Sequence, residues 1–166
     1  MACLQSIVVA SLVAIAAAGE TKYPEVVPGP GLPSLAQLGL TSAQLYQMGT
    51  PKSFGTFSAQ WSGCGPVEDA YTNVNDAIAC FHYLDSLGDQ DCFVRGGAAI
   101  SQFCKAGDAQ ITGQSVGPDV SVPCREAGQA ALWVIDHCTR PDQSVAGFQN
   151  PSTTTGMVVD VANIRY

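Results

Sequence analysis

The stretch PCREAGQAALWVIDHC at positions 123–138 decides which fold the sequence predicts. Its apolar residues recur at intervals of three and four, the spacing of one helix face: Ala127, Ala130, Ala131, Val134 and Cys138. A face built mostly of alanine lets a helix approach its neighbour closely. We therefore expect a helix over about residues 123–137 that packs against a flat β-sheet.

A second helix is predicted upstream, beginning at Pro66 and ending before Gly88. Proline suits the first position of a helix, because the N–H that it lacks has no partner there. The apolar residues that follow it keep the spacing of a helix: Val67, Tyr71, Val74, Ile78 and Phe81.

Short runs typical of strands surround these helices, at residues 57–61, 92–95, 99–104, 109–116, 144–148 and 157–164. The order of strands and helices predicts an α/β (α+β) sandwich, a mostly antiparallel sheet with two helices packed on one face. Six cysteines in this region predict that disulfides staple the domain.

The N-terminus has the character of a signal peptide over residues 1–18. Residues 7–18 are apolar and uncharged, too few to span a bilayer, and they end in three alanines that suit cleavage. Cleavage there would remove Cys3 and leave an even number of cysteines, as disulfide pairing requires. We therefore expect a secreted, extracellular protein.

Residues 19–56 are rich in proline and glycine and contain no cysteine. They form an arm, a linker or a pro-segment, and residues 57–166 form the domain. One short helix is predicted after Thr41, because Thr41 and Gln44 have the spacing of a capping box and Leu40 and Leu45 that of a hydrophobic staple.

The cysteine pairing expected from the predicted elements is Cys64–Cys138, Cys80–Cys124 and Cys92–Cys104. Cys92 and Cys104 flank a predicted hairpin, and Cys80 and Cys124 lie on the two helices. The remaining pair would tie the start of the domain to the end of the second helix.

The charge balance excludes two classes of partner. The chain has 166 residues and a net charge of −7, which is unfavourable for binding the phosphates of nucleic acid or an anionic membrane. We expect a monomer whose partner is a protein or ion channel on a target cell surface, or a wall polysaccharide.

No catalytic, cofactor or metal site is predicted. Asp136, His137 and Cys138 are adjacent on a helix and so point in different directions, and Cys138 is expected to be oxidised. His82, the other histidine, is interpreted as structural. The acids of residues 85–91 lack the spacing and closing glutamate of a calcium loop.

The aromatic residues offer a further hypothesis, stacking on sugar rings. Trp61 is expected in the core, whereas Trp133 lies off the alanine face and could be exposed. A carbohydrate-binding module using Trp133, Tyr83 or Phe148 is therefore the alternative function.

Residues 64–164 resemble the small killer toxins of smut-fungus viruses and the killer-toxin-like proteins secreted by many fungi. The matching features are the cysteine order from Ser62-Gly63-Cys64-Gly65 through Cys104-Lys105-Ala106-Gly107, the helix that ends in His137 and Cys138, and the terminal strand 157–164. The fungal necrosis-inducing effector domain is similar. The resemblance implies an antiparallel sheet with two helices on one face.

The resemblance also implies a non-enzymatic secreted protein that acts as an effector or antagonist on another organism, antifungal or host-directed. The smut toxin is basic and acts on calcium channels through a surface lysine, whereas this chain is acidic and has Gln102 in the corresponding region. Lys105 is its nearest lysine, and Lys105 and Trp133 are the possible target contacts.

Overall fold

The computed structural model describes residues 22–52, 61–115 and 117–166. The expected signal peptide, residues 1–18, lies outside these ranges. Of the strand expected over residues 57–61, only Trp61 lies within them. The described helices and strands, in chain order, are β1 Val26–Pro28, α1 Ser42–Gln47, β2 Ser62–Cys64, β3 Thr72–Asn73, α2 Val74–Ser86, β4 Asp91–Val94, β5 Ile100–Ala106, β6 Ala109–Ser115, β7 Val120–Pro123, α3 Cys124–Cys138, β8 Ser144–Val145, β9 Gly147–Gln149 and β10 Met157–Asn163.

The predicted α/β sandwich is confirmed. Six strands form one antiparallel sheet in the order β1-β5-β6-β10-β9-β2, and α2 and α3 pack on one face of it. Strands β4 and β7 form a separate two-stranded ribbon, as do β3 and β8. The core lies between the large sheet and the two helices, where Phe81, Leu84, Ile111 and Leu132 are buried.

The apolar face of α3 contacts the sheet through Val134 and Cys138. At Gly147 of β9, an added Cβ would lie 3.0 Å from Val134 Cγ1 and 3.1 Å from Cys138 Sγ. Ala127 and Ala131 are fully buried. Small residues on both elements thus bring the helix and the sheet into close contact.

Helix α2 begins eight residues later than the sequence predicts. Residues 68–70 form a single 3₁₀ turn, and Thr72 and Asn73 pair with β8 as a short strand. The side chain of Asn73 then caps the helix by accepting a hydrogen bond from the Asn75 N–H at 2.8 Å. The helical spacing predicts the part of α2 that contains Val74, Ile78 and Phe81, whereas Val67 and Tyr71 lie outside any α-helix.

Residues 22–52 pack on the domain. Strand β1 pairs with the outer edge of β5, and Leu45 of α1 is fully buried in the core. The capping box predicted for α1 is present, with Gln44 N–H donating to Thr41 Oγ1. The Tyr83 hydroxyl also donates to the carbonyl of Pro33 at 2.7 Å. The segment therefore supplies both an edge strand and a core residue.

Three disulfides connect the layers, and two of them differ from the expected pairing. Cys64 is bonded to Cys138, as expected, but Cys80 is bonded to Cys104 and Cys92 to Cys124. The expected Cys92–Cys104 and Cys80–Cys124 pairs are wrong because β4 pairs with β7 and not with β5. Cys92 therefore lies beside the start of α3, and Cys104 faces α2.

Candidate functional site

The two predicted target contacts do not form one site. Cys104 on β5 points toward α2, so the neighbouring Lys105 lies on the opposite face of the sheet. Trp133 lies on α3, is half-buried against the core, and stacks on the His137 ring at 4.4 Å between centroids. The sheet thus separates Lys105 from Trp133.

Each of the two histidines, His82 and His137, has a ring nitrogen close to a backbone carbonyl oxygen. His137 Nδ1 lies 2.8 Å from the carbonyl oxygen of Trp133, one turn earlier in α3. His82 Nε2 lies 2.8 Å from the carbonyl oxygen of Gly49. Cys138 is held in a disulfide and so has no thiolate to act as a nucleophile.

One face of the large sheet lies opposite α2 and α3. None of the described helices packs on this surface, which we call the outer face. Strand alternation and register place the following residues on it: Lys105, Gln110, Thr112, Gln114, Phe148, Val158, Asp160 and Ala162. Most of them are polar, as expected of a sheet face on which no helix packs, and Thr112 and Ala162 are buried.

Aromatic rings lie at the β9–β2 edge of the outer face. A Cβ added at Gly63 would lie 2.9 Å from two atoms of the Phe148 ring, so this ring lies across the strand at a position where there is no side chain. Trp61, just before β2, is 54% exposed, and its backbone N–H donates to Asn150 Oδ1 at 2.8 Å. The expectation that Trp61 lies in the core is therefore wrong.

Asp160 lies directly opposite Phe148 across the β10–β9 pair. Its neighbours on the other side are Thr112 and, along its own strand, Val158 and Ala162. Burial raises the pKa of the Asp160 carboxyl to about 6, because the charged form is poorly solvated there. Carboxyl groups with a pKa raised in this way are concentrated at functional sites, since their cost to stability is otherwise uncompensated.

Trp61, Phe148 and Asp160 together form what we call the outer-face site. It joins flat apolar rings to a carboxyl group, and the amides of Gln110 and Gln114 continue the polar surface along β6. Rings supply contact area, and carboxyl and amide groups supply oriented hydrogen bonds, which is the usual division of roles in a binding site.

Of the residues considered for sugar stacking, Phe148 is suitably placed and Tyr83 is not. Tyr83 is fully buried in α2, and burial raises the pKa of its hydroxyl to about 12. Sequence reasoning missed Asp160. Its one signal is that Asp160 is the only charged residue within the otherwise apolar run 157–162.

Two other kinds of site receive no support within the described part of the chain. Residues 22–52, 61–115 and 117–166 contain no group of three or more His, Cys, Asp or Glu side chains that could hold a metal ion. In the same ranges, no helix has both the length and the apolar character needed to cross a bilayer.

Comparison with known proteins gives a family without an assigned activity. No curated protein and no solved structure matches the chain. Residues 59–163, which include the whole outer-face site, match the model of a domain of unknown function, and the chain belongs to this family, DUF8794.

Proposed function

We propose that this protein is a secreted, non-enzymatic effector or antagonist that acts by binding a component of another organism's cell surface through its outer-face site. The leader-like residues 1–18 and the three disulfides support an extracellular role, because disulfides persist in oxidising compartments. The sequence resemblance to killer-toxin-like proteins supports an antagonistic one.

The observation that carries the proposal is the position of Asp160 opposite Phe148. A carboxyl group and a ring on the face of the sheet opposite α2 and α3 do not pack the core between the sheet and those helices. Burial disfavours the charge of Asp160, so a hydrogen-bonding ligand that contacts it would offset a cost that the free protein bears.

The test is a dose series of the oxidised protein on growing fungal hyphae and on plant leaf tissue, with and without added calcium. We expect growth inhibition or tissue damage by the wild type, and a loss of either effect in Trp61→Ala and in Asp160→Asn. Tyr166→Ala is the matched control, since Tyr166 is another exposed aromatic residue, 61% exposed.

The outcomes separate the possible targets. Inhibition of hyphae that calcium relieves would favour a channel, and damage to leaf tissue alone would favour a host-directed effector. No effect on either, or equal effects of the wild type and the two outer-face variants, would overturn the proposal.

A second candidate is binding to a wall polysaccharide, which the exposed ring of Trp61 and the flat position of Phe148 favour. Sugar rings stack on aromatic faces that lie flush with a surface, and their hydroxyls bond to carboxylates and amides. The test is a pull-down on insoluble chitin and β-glucan. Retention should decrease in Gly63→Ala, because the added methyl group would displace the Phe148 ring. Equal retention of this variant would exclude the site.

A further inference from the structure

The edge of the large sheet far from Trp61 and Phe148 is only partly covered. Strand β1 pairs with β5 as far as Pro28 opposite Cys104, and one further hydrogen bond joins the Gly29 N–H to the Phe103 carbonyl at 2.8 Å. Pro30 has no N–H with which to continue the ladder, and the chain turns there, with Leu32 N–H donating to the Gly29 carbonyl.

The start of β5 is therefore paired on one side only. Residues 100–102 pair with β6. On the other side, Gly29 packs on the backbone of Gln102, whereas among the described residues no strand pairs with Ile100 and Ser101. Sheet edges of this kind are usually guarded by lysine, proline or a covering element. Ile100, Ser101 and Gln102 provide neither lysine nor proline.

A groove runs along this open edge, which we call the edge groove. It has a volume of about 410 Å³ and lies between the turn at residues 30–32, β4 and the first half of β5. Its apolar walls include Leu32, Phe93 and Ile100, and the last two are 48% and 66% exposed. This volume is in the range of sites that hold ligand side chains.

The charge of the edge groove is negative. The carboxylate of Asp91 lies in its lining and accepts a hydrogen bond from the Ser121 hydroxyl at 3.0 Å. None of the described residues that line the groove is basic. The chain as a whole carries a net charge of −7, so its field also attracts cations.

We propose that the edge groove binds an extended peptide segment of a partner protein, with alternating apolar and basic residues, as an added strand beside Ile100 and Ser101. Backbone groups of the open edge would pair with the peptide backbone, and apolar peptide side chains would pack on Phe93 and Ile100. Alternate residues would face opposite sides, which allows Lys or Arg to reach the Asp91 carboxylate. This proposal is independent of the outer-face site, which lies at the opposite edge of the sheet.

The test uses four fluorescent peptides of about eight residues that alternate Lys with Val, Ile, Leu or Phe. Binding to the oxidised full chain is measured by anisotropy, and the contact is mapped by amide NMR shifts. For the tightest peptide, N-methylation of the backbone amides on one edge removes its hydrogen-bond donors and keeps its charge. We expect this change to weaken binding at least about tenfold.

Variants of the protein locate the contact. Ile100→Ser and Phe93→Ser should each weaken binding about tenfold, because each removes exposed apolar surface that the peptide would bury. Ile164→Ser is the matched control at another exposed isoleucine and should bind like the wild type. Asp91→Asn should weaken binding more than Asp69→Asn, which removes an exposed charge elsewhere.

The results can contradict the proposal in three ways. No binding by any of the four peptides up to about 1 mM would overturn it. Equal binding of the N-methylated peptide would show attraction by charge alone and would also overturn it. Amide shifts confined to residues outside the edge groove would place the peptide elsewhere and have the same consequence.

Discussion

The hydroxyl of Tyr46 donates a hydrogen bond to Oδ1 of Asp76 at 2.7 Å, and this contact ties α1 of the N-terminal arm to the first turn of α2. Tyr46 is half-buried and stacks on Tyr23, with 5.0 Å between ring centroids. Asp76 is buried, and that burial raises the pKa of its carboxyl although the hydrogen bond from Tyr46 acts in the opposite sense. The arm thus supplies the donor that helps Asp76 to carry its charge.

Tyr46→Phe is therefore expected to destabilise the protein by about 1–3 kcal/mol at neutral pH, because a buried acceptor loses one of its two donors, the other being the backbone N–H of Asp108. The pKa of Asp76 should rise further in the variant, so the folded state binds its proton more tightly than the unfolded state does. The deficit should then grow as the pH rises through the folded-state pKa. Urea unfolding at pH 3, below the ordinary pKa of an aspartate, and at pH 8 measures it, with Tyr166→Phe as the exposed control.

A deficit of equal size at both pH values would contradict the assigned role of Tyr46. It would indicate that the ring packs the arm against α2, and that the hydroxyl does not support the charge of Asp76.

Leu45→Ala tests whether the arm is part of the cooperative fold. Leu45 has no exposed surface, so removing its side chain should leave a cavity and cost about 2–5 kcal/mol of unfolding free energy. Met48, the residue that follows α1, is 50% exposed. Met48→Ala should therefore lower the free energy of unfolding by less than about 0.5 kcal/mol. The measurement is thermal and chemical unfolding. A wild-type midpoint for Leu45→Ala would show that residues 22–52 are not coupled to the domain.

The elements that the sequence predicts well have signals contained within a few residues. The capping box of Thr41 and Gln44 specifies α1 by itself, and the alanine spacing of residues 127–138 specifies both α3 and the closeness of its packing. Such signals do not depend on which other part of the chain is nearby.

The errors arise where the outcome depends on partners that are distant in sequence. Cys92 and Cys104 flank two strands that could form a hairpin, but β4 pairs with β7 across an intervening hairpin, and this changes two disulfides. The alternation of apolar and polar residues over positions 57–61 predicts that Trp61 lies on one face of a strand. It does not show whether another element covers that face. Asp160 was missed for the same reason, because only the register beside Phe148 gives the carboxyl its surroundings.

Asp160→Asn should make the protein more stable above pH 6. In the wild type, the carboxyl has a folded-state pKa of about 6 against an ordinary value of 3.8, so the folded state binds more protons between these values. Wild-type stability should therefore fall as the pH rises from about 4 to 6, by roughly 2–3 kcal/mol. The variant lacks this titrating group, so its decline should be smaller by that amount, and only the contribution of Asp76 should remain.

Urea unfolding at several pH values between 4 and 7 provides the measurement, with the exposed Asp69→Asn as the control. If Asp160→Asn kept the decline of the wild type between pH 4 and 6, another group would be responsible for it. A variant that is more stable and yet fails in the hyphal assay would indicate that the carboxyl is retained for binding.

Peptide mapping can distinguish the disulfide pairing of the structure from the pairing expected from the sequence. Cleavage after Arg and Lys and before Asp places every cysteine of residues 64–138 in a different peptide. Mass spectrometry of the unreduced digest should then join the peptide of Cys80 to that of Cys104, and the peptide of Cys92 to that of Cys124. Removing the Cys80–Cys104 bond by a double alanine substitution should cost about 3.5 kcal/mol, given its sequence separation of 24 residues.

A thiol titration under denaturing conditions gives an independent check. The Cys80→Ala and Cys104→Ala double variant removes one whole disulfide, so it should have no more free thiol than the wild type has. The Cys92→Ala and Cys104→Ala double variant takes one cysteine from each of two disulfides, so it should release the thiols of Cys80 and Cys124. If the hairpin pairing were correct, the two titrations would be reversed, because Cys92 and Cys104 would then leave together as one bond.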